Sequence, residues 1–330
     1  MTQAPVPREK TGARVSARNV IVTYAEADRR AVDDVSLEVT GGELIVLLGP
    51  SGCGKSTFLR TINRLVVPDS GTIEVDGSNV AGQTPEALRR GIGYVIQAVG
   101  LFPHMTVGRN ISIVPELLGW ERARIAARVD QLLALVQLDP ARYRERLPRE
   151  LSGGEQQRVG VARAVAAEPR VLLMDEPFGA VDAIVRTALQ DETLRIHRAL
   201  GTTIFFVTHD VDEALRMADR IVVMSAGKIV QADSPLHILA RPATPYVEQL
   251  MDTKDAVRRL QLMLVSDAMV PSGAQAPDGT IESTRTLREA LSFFLEGKQR
   301  LAVTRDGATL GSLSFDDVRH AVAALDGVPR

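Results

Sequence analysis

The stretch ELIVLLGPSGCGKST, residues 43–57, constrains the fold of this chain more than any other. It sets a continuous apolar run against a glycine-rich loop, and FLRTINRL continues it with helical character. An uninterrupted apolar strand suits a position buried on both faces of a parallel sheet. GPSGCGKST fits G-x-x-x-x-G-K-[ST] in the strand-to-helix context that this motif requires. A loop of Gly49, Pro50, Ser51, Gly52, Cys53 and Gly54 turns backbone N–H groups toward phosphates. Lys55 adds charge at the outer phosphates, Ser56 offers a hydroxyl to magnesium, and Thr57 closes the motif.

The remaining periodicity fits such a sheet. VLLM at 171–174 and TIFFVT at 203–208 are again continuous apolar runs, each followed by a helical pattern, which predicts an α/β fold. Val35, Leu37 and Val39 alternate with polar residues, as do Ile73 and Val75, and so predict half-buried strands. Ile125, Val129, Leu132, Leu133 and Val136 share one helical face, marking 115–138 as a helical insert. ARPATPY, with two prolines, is expected to end the first domain near Gln249. From Asp267 a smaller unit is expected: an extended stretch at Thr280–Glu282, a helix over Leu287–Leu295, strands at Leu301–Thr304 and Leu310–Ser314 turned by Asp306-Gly307, and a last helix from Asp316.

Three further stretches carry chemistry. VLLMDE ends a buried strand on Asp175, fit to hold a magnesium shell, and Glu176, fit to orient and deprotonate a water. Gln97 after GIGYVI and His209 after TIFFVT are polar strand ends able to reach the same sheet edge. In LSGGEQQR, residues 151–158, Ser152 and Glu155 form a capping box that needs no ligand. The same helix start, with Gly153 and Gly154, is equally an anion cradle without a lysine. A nucleotide in it would have to be held by another molecule.

Composition limits the partners and the compartment. The 330 residues carry a net charge of -2, which gives no general attraction for nucleic acid. Cys53 is the only cysteine and can form no internal disulfide, as expected of a reducing cytoplasm. The first dozen or so residues read as a mobile tail without a signal-peptide core. The longest apolar runs fall far short of the roughly 20 residues that cross a bilayer, so any membrane role must come through a partner.

With the lysine loop, the DE strand, LSGGEQQR and His209 in place, the sequence resembles the ATP-binding subunit of ABC transporters from about Val15 to about Gln249. The resemblance implies an ABC-type P-loop ATPase at 15–249, with a parallel core sheet, an antiparallel β subdomain and a helical subdomain at about 98–155. Residues 1–14 are a tail and 250–266 a linker. It implies ATP and Mg2+ as cofactors, with Gln97 joining Ser56 and Asp175 at the metal, and a homodimer in which Ser152, Gly153, Gly154 and Asp182 meet the ATP held by the partner. Tyr24 resembles the aromatic that stacks on adenine, and His209 the switch histidine on the γ-phosphate. Asp182 lies in GAVD, where many members have alanine-leucine-aspartate. The stretches 95–111 and 174–182 and the C-terminal unit look like the importers of glycine betaine, choline, carnitine or proline, and 267–325 resembles a single CBS repeat. Two membrane permease subunits, a separate solute-binding protein and a peripheral place on the cytoplasmic face of the inner membrane are implied with it.

Overall fold

Alternating and continuous apolar strands separate into two different sheets. A computed structural model of the chain describes residues 12–25, 29–96, 100–179, 181, 183–271 and 277–326, which fall into two compact units, 1–230 and 231–330. In the first unit β1 (Val15–Val22) and β2 (Val32–Val39) precede β3 (Leu44–Leu48), α1 (Lys55–Ile62), β4 (Ser70–Val75) and β5 (Ser78–Asn79). The sheet β2-β1-β4-β5 is antiparallel throughout. In β2, Val32, Val35, Leu37 and Val39 are buried while Asp34, Ser36 and Glu38 face water, which is the alternation of a sheet with one dry face.

After α2 (Pro85–Arg90) comes β6 (Ile92–Val95), followed by a helical segment of α3 (Val107–Leu117), α4 (Arg122–Leu135), α5 (Pro140–Tyr143) and α6 (Gly153–Val165). The chain then runs through β7 (Val171–Asp175), α7 (Ala183–Leu200), β8 (Thr203–Thr208), α8 (Val211–Met217), β9 (Arg220–Ser225) and β10 (Lys228–Asp233). A six-stranded sheet has the order β10-β9-β3-β8-β7-β6, and its pairs β3–β8, β3–β9, β6–β7 and β7–β8 are parallel. Every residue of β3, β7 and β8 is buried, so these strands carry the continuous apolar code. Burial of each such aliphatic side chain is worth about 1.5–3 kcal/mol over leaving it exposed.

In the helical segment the expected face of Ile125, Val129, Leu132, Leu133 and Val136 is buried. Arg128 lies among these residues because it caps another helix. Its Nε donates to Ala166 O and its Nη2 to Val165 O, both at 3.1 Å, at the C-terminal end of α6, where a cation complements the helix dipole. Burial pulls the Arg128 guanidinium below its ordinary pKa while Glu168 opposes that shift. α4 thereby holds the far end of the helix that begins with Gly153.

The second unit contains α9 (Pro235–Ala240), α10 (Pro245–Met251), α11 (Ala256–Leu262) and α12 (Val265–Ala268), then β11 (Gly279–Glu282), α13 (Leu287–Leu295), β12 (Arg300–Arg305), β13 (Ala308–Ser314) and α14 (Phe315–Asp326). β11 pairs parallel with β12, and β12 antiparallel with β13, over a core of Leu287, Leu301, Val303 and Leu313. Asp306 and Gly307 take φ of 51° and 81°, the left-handed pair of a tight hairpin.

Three expected boundaries shift. The units divide after Val230, ahead of Gln249, because Leu236 of α9 packs on the same core as Leu260 and Met263. The expected linker 250–266 is largely helical. Residues 12–14, expected in the tail, belong to the fold, since Gly12 N donates to Gly201 O at 2.9 Å and Ala13 N to Arg170 O at 3.0 Å; residues 1–11 lie outside the described residues. Among the described residues no helix is long and apolar enough to cross a membrane.

Candidate nucleotide site

β3 delivers its loop onto neighbours that leave room only for glycine. A Cβ at Gly49 would stand 2.3 Å from Met224 O, and one at Gly54, where φ is +109°, would stand 2.2 Å from Ala31 O. The loop is stapled by Gly227 N to Cys53 O at 2.9 Å and Phe58 N to Gly54 O at 2.8 Å. Lys55 is buried, and its ammonium donates to Gly49 O and Pro50 O at 2.7 and 3.0 Å. No side chain caps α1, which leaves its N-terminal field to an anion. Above the loop lies a cleft of about 420 Å³ whose lining includes Tyr24, Arg29, Ser51, Lys55, Thr57 and Glu176. Tyr24 is half exposed at this cleft, its hydroxyl 3.3 Å from Thr57 Oγ1.

Parallel register brings the acids to the same edge. Leu48 pairs with Thr208, and Asp175 with Val207, so the loop after β3, the carboxylates after β7 and His209 after β8 emerge together. Asp175 is buried; Ser56 Oγ donates to its Oδ1 at 2.6 Å, and Arg60 Nη2 to its Oδ2 at 3.1 Å. A hydroxyl and a carboxylate are the hard oxygen donors that magnesium takes alongside water and phosphate. Among the described residues no group of three His, Cys, Asp or Glu is placed to hold a metal. Glu176 has φ of +45°, and its N donates to Val207 O at 3.0 Å. A left-handed non-glycine residue stores strain of about 1–3 kcal/mol, and here it aims the carboxylate into the cleft. Its Oε2 lies 3.3 Å from Nδ1 of His209.

Ser152, Gly153 and Gly154 are absent from the lining of this cleft. Ser152 and Gly153 are exposed at the start of α6, and a Cβ at Gly153 would meet nothing within 4 Å. The capping box is complete: Glu155 N donates to Ser152 Oγ at 3.3 Å, and Ser152 N to Glu155 Oε2 at 2.7 Å. Tyr143 adds a hydroxyl to Glu155 Oε1 at 2.6 Å, the leading cause that holds this carboxyl below its usual range. Gln97 and Asp182 lie outside the described residues. Arg29, Arg60 and Tyr94 are site residues that the motifs do not mark. Arg60 was signalled by its place four residues after Ser56, on the same helical face.

Behind His209, α7 and α8 are tied by Gln190 Nε2 donating to Glu213 Oε1 at 3.0 Å and by Arg186 facing Asp210 at 3.3 Å. Burial pushes the Glu213 carboxyl up, Thr208, Gln190 and Arg186 pull it down, and Asp210 adds to the rise. A carboxyl raised by folding favours the native state below its unfolded pKa, and that contribution is lost as pH rises through the folded value. Glu213→Gln keeps an acceptor for Gln190 and removes the titration. The melting temperature of the variant relative to the unmodified chain should therefore be higher at pH 8 than at pH 5, and a pH-independent difference would contradict this account.

The family comparisons agree with this geometry. The ABC transporter family model matches residues 32–179. The chain belongs to the ATP-binding proteins of ABC transporters, and it is an ATPase of that family. It is 49% identical over 293 residues, 88% of this chain and 94% of the relative, to a glycine betaine uptake system ATP-binding protein of Escherichia coli. It is 46% identical, over 87% of this chain and 75% of the relative, to a glycine betaine/carnitine/choline transport ATP-binding protein of Bacillus subtilis. A solved dimeric ATP-binding cassette in a post-hydrolysis state, bound to ADP and Pi, aligns with a TM-score of 0.60 at 30% identity, over 67% of this chain and 98% of that one.

Proposed function

We propose that the chain is the ATP-hydrolysing subunit of an importer for a quaternary amine osmoprotectant of the glycine betaine, choline, carnitine or proline type. Similarity to the E. coli and B. subtilis proteins supports this reading, because their aligned lengths are too great for residues 1–230 alone. The carrying observation for the mechanism is the division of phosphate-binding groups. A lysine cleft stands in one place, and a second helix start, with Ser152 and Gly153 exposed and Gly154 half-buried, stands outside its lining.

In this reading Lys55 leaves its loop carbonyls for the outer phosphates, Tyr24 stacks on adenine, and Ser56, Asp175 and Gln97 would hold Mg2+. The ion supplies charge neutralisation on the phosphates. Glu176 takes the proton of the attacking water, with His209 holding the γ-phosphate. Two copies close head to tail so that Ser152 to Gly154 and Asp182 of each complete the other's site. Closure drives two permease subunits on the cytoplasmic face of the inner membrane, a separate protein delivers the solute, and nucleic acid has no part. Residues 267–325, with a β-α-β-β-α order, form a single CBS-like unit.

Co-purification with the permease and solute-binding protein from the same source tests the reading. ATPase activity of the assembly should rise with one of these quaternary amines and stay unchanged with sulfate, a polyamine or a sugar. Stimulation by one of the latter would reassign the solute, and failure of any membrane protein to co-purify would refute the transport role.

A further inference from the structure

Asp175 is closed on both sides by its own chain. Ser56 Oγ occupies Oδ1 at 2.6 Å, while Arg60 Nη2 occupies Oδ2 at 3.1 Å with the Tyr94 hydroxyl 3.4 Å from the same oxygen. Asp175 is only 5% exposed, and a carboxylate so buried requires a counter-charge. The Arg60 guanidinium supplies it from a half-exposed position, since its side chain keeps 46% of its surface. Arg60 lies one helical turn, about 5.4 Å, beyond Ser56, which places a full positive charge next to the donors of any cation on this carboxylate.

We propose that Arg60 is an internal competitor of the divalent cation for Asp175: it neutralises the carboxylate while the cation is away and weakens the cation's hold when it arrives. The inference rests on Ser56 and Asp175 facing that cation. Two positive charges within several ångströms of one carboxylate repel each other even at the effective dielectric near a protein surface. Water around the half-exposed guanidinium reduces that repulsion to a modest factor. Removing the charge while keeping a hydrogen-bond donor should therefore tighten the metal's contribution about three- to tenfold.

The test compares binding of a non-hydrolysable β,γ-imido analogue of ATP to the full chain with Mn2+ and with EDTA, and follows bound Mn2+ by its electron paramagnetic resonance signal. Arg60→Gln is expected to raise the preference for the Mn2+ complex by that factor, the preference being the ratio of nucleotide affinity with Mn2+ to that with EDTA in the same variant. Arg60→Lys, which keeps the charge, should restore the original preference. A preference in Arg60→Gln equal to or below that of the unmodified chain overturns the proposal. Should Arg60→Gln not fold, the 15N-labelled guanidinium of the unmodified chain, assigned by its loss in Arg60→Lys, must change on addition of the Mg2+ complex but not of metal-free nucleotide; an unchanged signal is equally fatal. If Mn2+ adds nothing to nucleotide binding in the unmodified chain, the metal reading itself fails, and the two failures are thus distinct.

Discussion

Glu176→Gln is expected to lower steady-state ATP turnover by about 10²–10⁴-fold, the range for losing a positioned general base, while nucleotide binding persists. The geometry separates the two effects. Lys55, Ser56 and the amides of the loop are fixed by β3 and α1, and Asp175 by Ser56 and Arg60, with no hydrogen bond to the Glu176 carboxylate among them. Glutamine is nearly isosteric and keeps the Oε that faces His209 at 3.3 Å. What it loses is the capacity to accept a proton. Single-turnover hydrolysis and equilibrium nucleotide binding, measured side by side, check the prediction. Turnover close to that of the unmodified chain would transfer the base role to another group, whereas loss of binding would mean that Glu176 shapes the cleft.

The parts of this site that could be read in advance are those fixed by neighbours in the chain. The lysine loop declares itself because strand, glycines and helix are consecutive, and the capping box of Ser152 and Glu155 because both its partners lie within one turn. The pairing of Arg60 with Asp175 spans 115 residues, and only the parallel register of β3, β8 and β7 brings α1 against the end of β7. His209 is similar: its strand end was visible, but its place beside Glu176 depends on the left-handed turn at that residue. In the second unit β11, α13, β12 and β13 follow the periodicity closely. Residues 250–266 do not, since α11 and α12 are too short to show a repeating apolar face. Their helical character was signalled only by caps such as Asp255, which accepts from Val257 N at 2.8 Å. The end of the first domain was displaced for the same reason, because the core that claims Leu236 is assembled from residues far along the chain.

The second large effect is expected at Ser152, where Ser152→Arg should abolish turnover while leaving ATP binding to the isolated chain intact. Ser152 is absent from the lining of the lysine cleft, so nothing that Lys55 or Thr57 does depends on it. Its exposed backbone and that of Gly153 present unobstructed space, which a long arginine side chain would fill. Arginine also removes the hydroxyl that accepts from Glu155 N, and loss of such a cap costs about 0.5–2 kcal/mol. Damage to α6 must therefore be separated from obstruction of a partner's nucleotide. Ser152→Ala loses the cap alone; with Glu155 still bonded to Ser152 N and to Tyr143, it should retain much of the activity. Ser152→Asp keeps a strong cap and adds a negative charge where the partner's phosphate would arrive, so it should be stable yet inactive. Sedimentation of each variant in a Glu176→Gln background with ATP reads dimer formation directly. A stable Ser152→Asp chain that dimerises and hydrolyses ATP like the unmodified one would show that these amides only begin a helix, and that the phosphate they are shaped to meet is not the partner's.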